Sequence, residues 1–295
     1  MTGSRAGNPA GAGRTWGMNL PPSVRLVDLV PGYPVLEIDH ARCRARIALH
    51  GAHVMEWQPA GQEPVLYLSP DAVFREGKAI RGGIPVCWPW FNAHPDEPDQ
   101  PAHGIARTRF WNLVDAAEDE QGVSVRLSMS EAPWGAELAV RAGAELGLSL
   151  KSTNLGNEPV RVSGALHSYL RVDDIGKARI EGLDGSTYLD TVGSPAIRSQ
   201  DGLLAIDREV DRIYESSGAV RLVDESAGRT LVIVKSGSPS TVVWNPWIGK
   251  AAALGDLPDA DYRRFVCVEA AIANDKAVIL GQKESAVIST ALRVE

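Results

Sequence analysis

Two residues stand where their neighbours argue against them. His167 lies in VRVSGALHSYLRV (160–172), where Val160, Val162, Leu166, Leu170 and Val172 hold even positions and Arg161, Ser163, His167, Tyr169 and Arg171 hold odd ones. Successive side chains of a strand point to opposite faces, so the segment reads as a strand with an apolar face for the core and a polar face for water or a ligand. Glu269 lies in RFVCVEAAIA and is the only charge between Phe265 and Ala273. Glutamate is rarely buried without a partner, and desolvation would lift its pKa from about 4.3 toward the range of a general base. A histidine and a carboxylate are the ingredients of acid–base catalysis. The plain alternatives are a half-exposed histidine on a polar sheet face and a glutamate at a strand end, facing solvent or an arginine.

Cations cluster elsewhere. FREGKAIRGG carries Arg75, Lys78 and Arg81, and HGIARTR carries His103, Arg107 and Arg109. On an acidic chain these would form a local anion site, because a guanidinium offers two parallel donors to a phosphate or carboxylate. As surface pairs with Asp71 and Glu76 they would be worth little. Gly82 and Gly83 let the backbone turn sharply after Arg81. TVVWNPWIGKA presents Trp244 and Trp247, and EVDRIY presents Asp211 beside Tyr214. Flat aromatics with amide and carboxylate groups suit the faces and hydroxyl edges of sugars, although tryptophans in a sandwich also fill cores. There is no Gly-rich phosphate loop before a helix, no GxSxG, no HExxH and no DxDxDG loop, so nucleotide, serine-hydrolase and common metal chemistries lack their motifs.

The elements that must position these groups are strands. RCRARIAL, VSVRLSM, ELAVRAGAELGLSL, RTLVIVK, STVVW, RFVCVEA and AVISTALRV are short and mostly alternating, and turn clusters such as NLGNEP, EGLDGS and KSGSPS separate them. Segments with a 3.6-residue period are nearly absent. This predicts an all-β antiparallel sandwich with no linker-like composition shift, hence one domain over residues 20–295. Residues 70–112 break the alternation; they are rich in Pro, Gly and Trp, too irregular for ladder strands and too aromatic for disorder. Such a loop either carries function or merely covers a sheet edge.

Composition narrows the partners. The 295 residues include 30 Lys and Arg against 37 Asp and Glu, a net charge of −7, which argues against a nucleic-acid or anionic-membrane binder. Cys43, Cys87 and Cys267 are far apart, with no CxxC pair and no histidine at zinc-ligand spacing, as fits a reducing cytoplasm. Residues 1–19, rich in Gly and Ala, read as a mobile tail, and no stretch approaches a membrane span.

Taken in order, GAHVMEW, YLSP, IRGGIPVCWPWF, HGIAR, LHSYLRV, EVDRIY, VVWNPW and VCVEAA make the chain resemble the aldose 1-epimerase (mutarotase) superfamily, and within it the D-hexose-6-phosphate mutarotases. The resemblance spans nearly the whole chain. It implies a large antiparallel β-supersandwich and interconversion of the α and β anomers of glucose 6-phosphate or similar aldohexose 6-phosphates. It implies that Glu269 is the base at the C1 hydroxyl and His167 the acid at the ring oxygen. Arg81 and Arg107 would hold the phosphate, with His103 near the reacting ring and Asp211 toward hydroxyls; Arg75, Lys78 and Trp244 complete the expected substrate contacts. A base and an acid suffice, so neither cofactor nor metal is expected, and a carboxylate near His167 would help keep it charged at neutral pH. The expected partner is a small sugar phosphate and the expected state a monomer. Two departures stand out. Some relatives carry a lysine just before HG as a further phosphate contact, whereas FNAHPDEPDQPAHG has none, and the tryptophans of VCWPWF replace less bulky residues. The competing readings are a mutarotase for unphosphorylated aldoses and a noncatalytic carbohydrate-binding or regulatory protein. A lyase or glycosidase would call for a second carboxylate spaced for glycosidic cleavage.

Overall fold

The computed structural model describes residues 19–295, so the tail expected over residues 1–19 lies, apart from Asn19, outside the described residues. The alternating segments become antiparallel strands. Nine of them form one sheet in the order Leu204–Ala205, Ala178–Glu181, Val220–Asp224, Arg229–Ser236, Ser285–Val294, Leu146–Asn154, Trp134–Gly143, Gly122–Glu131, Asn112–Asp119. A second sheet runs Ala196–Ser199, Thr187–Asp190, Val210–Tyr214, Ser240–Asn245, Phe265–Ile272, Gly164–Leu166, Val86–Cys87, and Tyr169–Arg171 also pairs with Phe265–Ile272. A four-stranded sheet over Val24–Asp28, Pro34–His40, Cys43–Ala48 and His53–Pro59 completes the larger layers. One apolar cluster with members from Val24 to Leu292 draws on all three sheets.

Two sequence readings change in detail. ELAVRAGAELGLSL is a hairpin rather than one strand: Trp134–Gly143 and Leu146–Asn154 pair with Ala142 opposite Leu146, so the apolar phase survives the turn. VRVSGALHSYLRV is three pieces, Val160–Val162, Gly164–Leu166 and Tyr169–Arg171. The first piece leaves the main sheet to pair with Val278–Leu280. The break after Leu166 falls where the His167 N–H turns to the carbonyl of Pro85 and that of Ser168 returns to Leu166.

The fully buried strand Phe265–Ile272 explains how a carboxylate comes to lie inside. Its even residues Val266, Val268 and Ile272 join the main core. Its odd residues face the other way, Phe265 and Cys267 into one small apolar cluster and Ala271 into another. Glu269 lies between those clusters in sequence. A strand covered on both faces shows no polar-apolar alternation, so the odd charge was the only sequence signal that its two faces differ.

Candidate active site

Register across the second sheet assembles the site. Asp211 pairs with Trp244, Trp244 with Cys267, and Cys267 with Tyr169, making one row of side chains. The next row on that face holds Ile213, Val242 and Glu269. Leu166 pairs with Ala270 and Tyr169 with Cys267, so the register runs unchanged across the break and sets His167 opposite Glu269. His167 Nε2 lies 3.3 Å from Glu269 Oε1, with the residues 8% and 1% exposed.

The irregular segment roofs this face. Between its short strand Val86–Cys87 and the 3₁₀ turn Ala106–Thr108 it supplies Phe91, Asn92, His103 and Arg107 to the cavity wall, and Arg81 comes from just upstream. Two glycines make the close approach feasible. A Cβ on Gly82 would sit 2.4 Å from the Tyr67 carbonyl oxygen, and one on Gly104 would sit 2.0 Å from that of Trp88. His103 is fixed by Asn92, which donates its N–H to Nδ1 at 3.3 Å and accepts the His103 N–H at 2.7 Å. That leaves Nε2 of the neutral ring as the proton-bearing nitrogen.

The cavity has a volume of about 250 Å³ and is lined by Arg81, His103, Arg107, His167, Tyr169, Asp211, Trp244, Lys250 and Glu269 together with Phe91, Asn92, Val242 and Leu254. Larger hollows exist, one of about 720 Å³ beside the four-stranded sheet, but several of its charged groups pair with one another, as Arg46 does with Glu37 and Glu56. The smaller cavity joins a buried imidazole to a buried carboxylate. His167 Nδ1 and Glu269 Oε2 have no hydrogen-bonding partner among the described residues. Unpaired buried polar atoms are costly, and here two of them belong to facing side chains in the wall of one cavity.

The electrostatics divide the pair. Burial pushes the Glu269 carboxyl well above the usual carboxylate range, the Asp211 charge adding to it and Arg107 opposing it. Burial holds His167 well below the ordinary imidazole value, and His103, Arg107 and Arg81 depress it further. The expectation that a neighbouring carboxylate keeps His167 charged is therefore reversed in the free protein, where desolvation and nearby cations outweigh it. His103 is pushed down to about 3 by burial, then by Arg107 and Arg81, and is neutral.

Of the residues singled out in the sequence, His167, Glu269, Arg81, His103, Arg107, Asp211 and Trp244 line the cavity; Arg75 and Lys78 do not. Arg75 is exposed, and Lys78 reaches 3.9 Å to Asp256, the carboxylate that also binds Arg81 Nε at 3.0 Å. Trp247 packs tilted against Tyr262 and Tyr214 joins the main core. The sequence reading missed Lys250 and Asp256 and gave Tyr169 no role. Lys250 rides on the six-residue helix Trp247–Ala252, too short to show a period, and its Nζ lies 3.3 Å from Glu209 and 3.7 Å from Asp211. The helix starts where Asn245 turns the chain, donating to the carbonyls of Tyr262 and Phe265 and accepting the Trp247 N–H.

The chain is similar to known proteins over most of its length. The family model for aldose 1-epimerase matches residues 34–293. A protein of Escherichia coli strain K12, provisionally named glucose-6-phosphate 1-epimerase, is 33% identical over 256 residues, 84% of this chain and 86% of that one. One from Cenchrus ciliaris with the same provisional name is 32% identical over 271 residues, 85% and 82% of the two chains. A crystal structure of a Salmonella typhimurium protein, provisionally named a mutarotase, superposes with a TM-score of 0.87 at 28% identity, covering 94% of this chain and 95% of that one.

Proposed function

The chain belongs to the aldose 1-epimerase family, and from that premise we propose that it is a hexose-6-phosphate mutarotase, interconverting the α and β anomers of glucose 6-phosphate. One observation carries the reading: an imidazole and a carboxylate 3.3 Å apart, both buried, in a cavity that also holds two arginines.

The chemistry follows from the positions. O1 and O5 of a hexopyranose are both bonded to C1, so a donor and an acceptor standing side by side reach both. Glu269 takes the O1 proton while His167 gives one to O5; the C1–O5 bond breaks and an open-chain aldehyde forms. Rotation about C1–C2 presents the other carbonyl face, and the same two groups run in reverse to close the ring. One proton shared by the pair is the number this cycle needs. His103, neutral and carrying its proton on Nε2, donates to the carbonyl oxygen of the open form. Asp211 and Lys250 meet ring hydroxyls, and Trp244 offers an apolar surface to the ring.

Arg81 and Arg107 hold the phosphate. Arg107 gives only one of its Nη2 hydrogens, to the Ala102 carbonyl at 2.8 Å, and keeps the rest of its fork for a ligand. Relatives with a lysine before HG add a cation on the roof; here the further cavity cation is Lys250, on the opposite element. The test is equilibration of pure α-glucose 6-phosphate, followed by polarimetry or NMR exchange. Acceleration by the purified protein is expected. Acceleration of glucose alone would favour an unphosphorylated aldose, and no acceleration of either sugar would leave only a noncatalytic binder.

A further inference from the structure

Tyr169 sits between the two halves of the site. Two residues beyond His167, it lies with its ring nearly parallel to the imidazole, centroids 4.9 Å apart at 13°. Its phenol oxygen accepts a hydrogen bond from Arg81 Nη1 at 3.0 Å. Arg81 is held from its other side by Asp256, through Nε at 3.0 Å and Nη2 at 3.5 Å. Trp244, edge-on at 5.9 Å, and Phe265, tilted at 5.1 Å, confine the tyrosine ring, which is 2% exposed. Asp256, Arg81, Tyr169 and His167 thus form a continuous chain of packed, hydrogen-bonded groups from the anion-binding side to the acid.

We propose that Tyr169 is a positioning residue that couples occupation of Arg81 by the substrate phosphate to the placement of His167, so that the phosphate speeds ring opening as well as strengthening binding. This rests on the hexose-phosphate reading above. An anion that engages the remaining N–H groups of Arg81 immobilises the guanidinium; its Nη1 bond then fixes the phenol, and the stacked ring fixes the plane of the imidazole. The charge acts in the same sense. The groups facing His167 are Glu269 on the paired strand, His103 and Arg107 on the roof, and Arg81 by way of Tyr169. Arg81 depresses His167 but is not among the groups that move Glu269, so an anion on Arg81 biases the shared proton toward His167. Remote binding energy is in this way spent on the reacting centre.

Tyr169→Phe keeps the ring and removes the oxygen. The ratio of kcat on glucose 6-phosphate to kcat on glucose should fall about tenfold, the size expected for one charge-assisted hydrogen bond, with KM for the phosphosugar changed less. Asp256→Asn, which loosens Arg81 from its other side, should show the same signature. Independently of turnover, ¹⁵N NMR of His167 during titration with inorganic phosphate should show its protonation midpoint rising in the wild type and rising less in Tyr169→Phe. Equal losses on both sugars, no loss, or a wild-type midpoint indifferent to phosphate would overturn the coupling. A wild type inactive on both sugars would instead remove the mutarotase reading, and the NMR titration would still decide whether Tyr169 links the two groups.

Discussion

Buried imidazoles occur at two places in this molecule, and their surroundings differ. His53 lies beneath the RGG turn and His50 beside Tyr33 and Gly77, both 0% exposed. His50 uses both ring nitrogens, Nδ1 with the Tyr33 hydroxyl at 3.0 Å and Nε2 as acceptor for the Gly77 N–H at 3.2 Å. His53 Nε2 donates to the Gly82 carbonyl at 2.8 Å. Each makes a fixed bond to the backbone, and neither lines the cavity. His103 and His167 lie in the cavity wall, with His167 against a carboxylate; an unpaired Nδ1 is common to His167 and His53 and does not separate them. All four are neutral by desolvation, His53 pushed down to about 3 just as His103 is. Burial and a shifted pKa therefore do not distinguish an acid from a structural histidine; a proton partner facing open volume does.

That contrast can be broken by substitution. The largest effect is expected at the cavity pair: His167→Ala or Glu269→Ala should lower kcat by at least about a hundredfold with the fold retained, as judged by circular dichroism. A folded, fully active double variant would remove both assignments. Arg107→Ala should raise KM for glucose 6-phosphate by about tenfold while changing glucose far less, the loss expected for a charge-assisted bond. A parallel loss on both sugars would detach the phosphate from this arginine. Lys250→Met should change KM by only a few-fold, because an exposed cation between two carboxylates is screened.

The smallest effect on rate belongs to the other histidine pair. His53→Ala should leave kcat nearly unchanged yet cost about 2 kcal/mol or more in a urea titration, since it empties a buried site and strands the Gly82 carbonyl. The sign of its pH dependence follows from burial. The folded state disfavours the charged ring, so its contribution is complete above the ordinary value of 6.5 and is lost as the pH falls from there toward about 3, at up to about 1.4 kcal/mol per pH unit. The cavity pair should show its titration in kcat/KM instead. A bell is expected, its acid limb below the ordinary imidazole value and its alkaline limb above the ordinary carboxylate value, with both midpoints belonging to the pair.

Much of this was legible beforehand. Alternation located most of the long strands, because the period of two is set by the backbone within a few residues. The charge of Glu269 in an apolar run and the histidine among odd-numbered polar residues marked the two groups proposed to react, for the same reason. The glycines of RGG marked a sharp backbone turn, and the structure adds the close approach there and at Gly104. The short helix that carries Lys250 left no periodic trace, and nothing in DLPDAD sets Asp256 apart from its acidic neighbours.

Side-chain type and facing were thus local properties, written into each segment of this chain. Partnership was not. That His167 stands opposite Glu269, that Lys78 is diverted to Asp256, and that Tyr169 joins Arg81 to the imidazole all depend on how segments about ninety to about 180 residues apart are brought together. Register is chosen by the summed packing of the sheets, since a slip of one residue would turn every side chain to the opposite face.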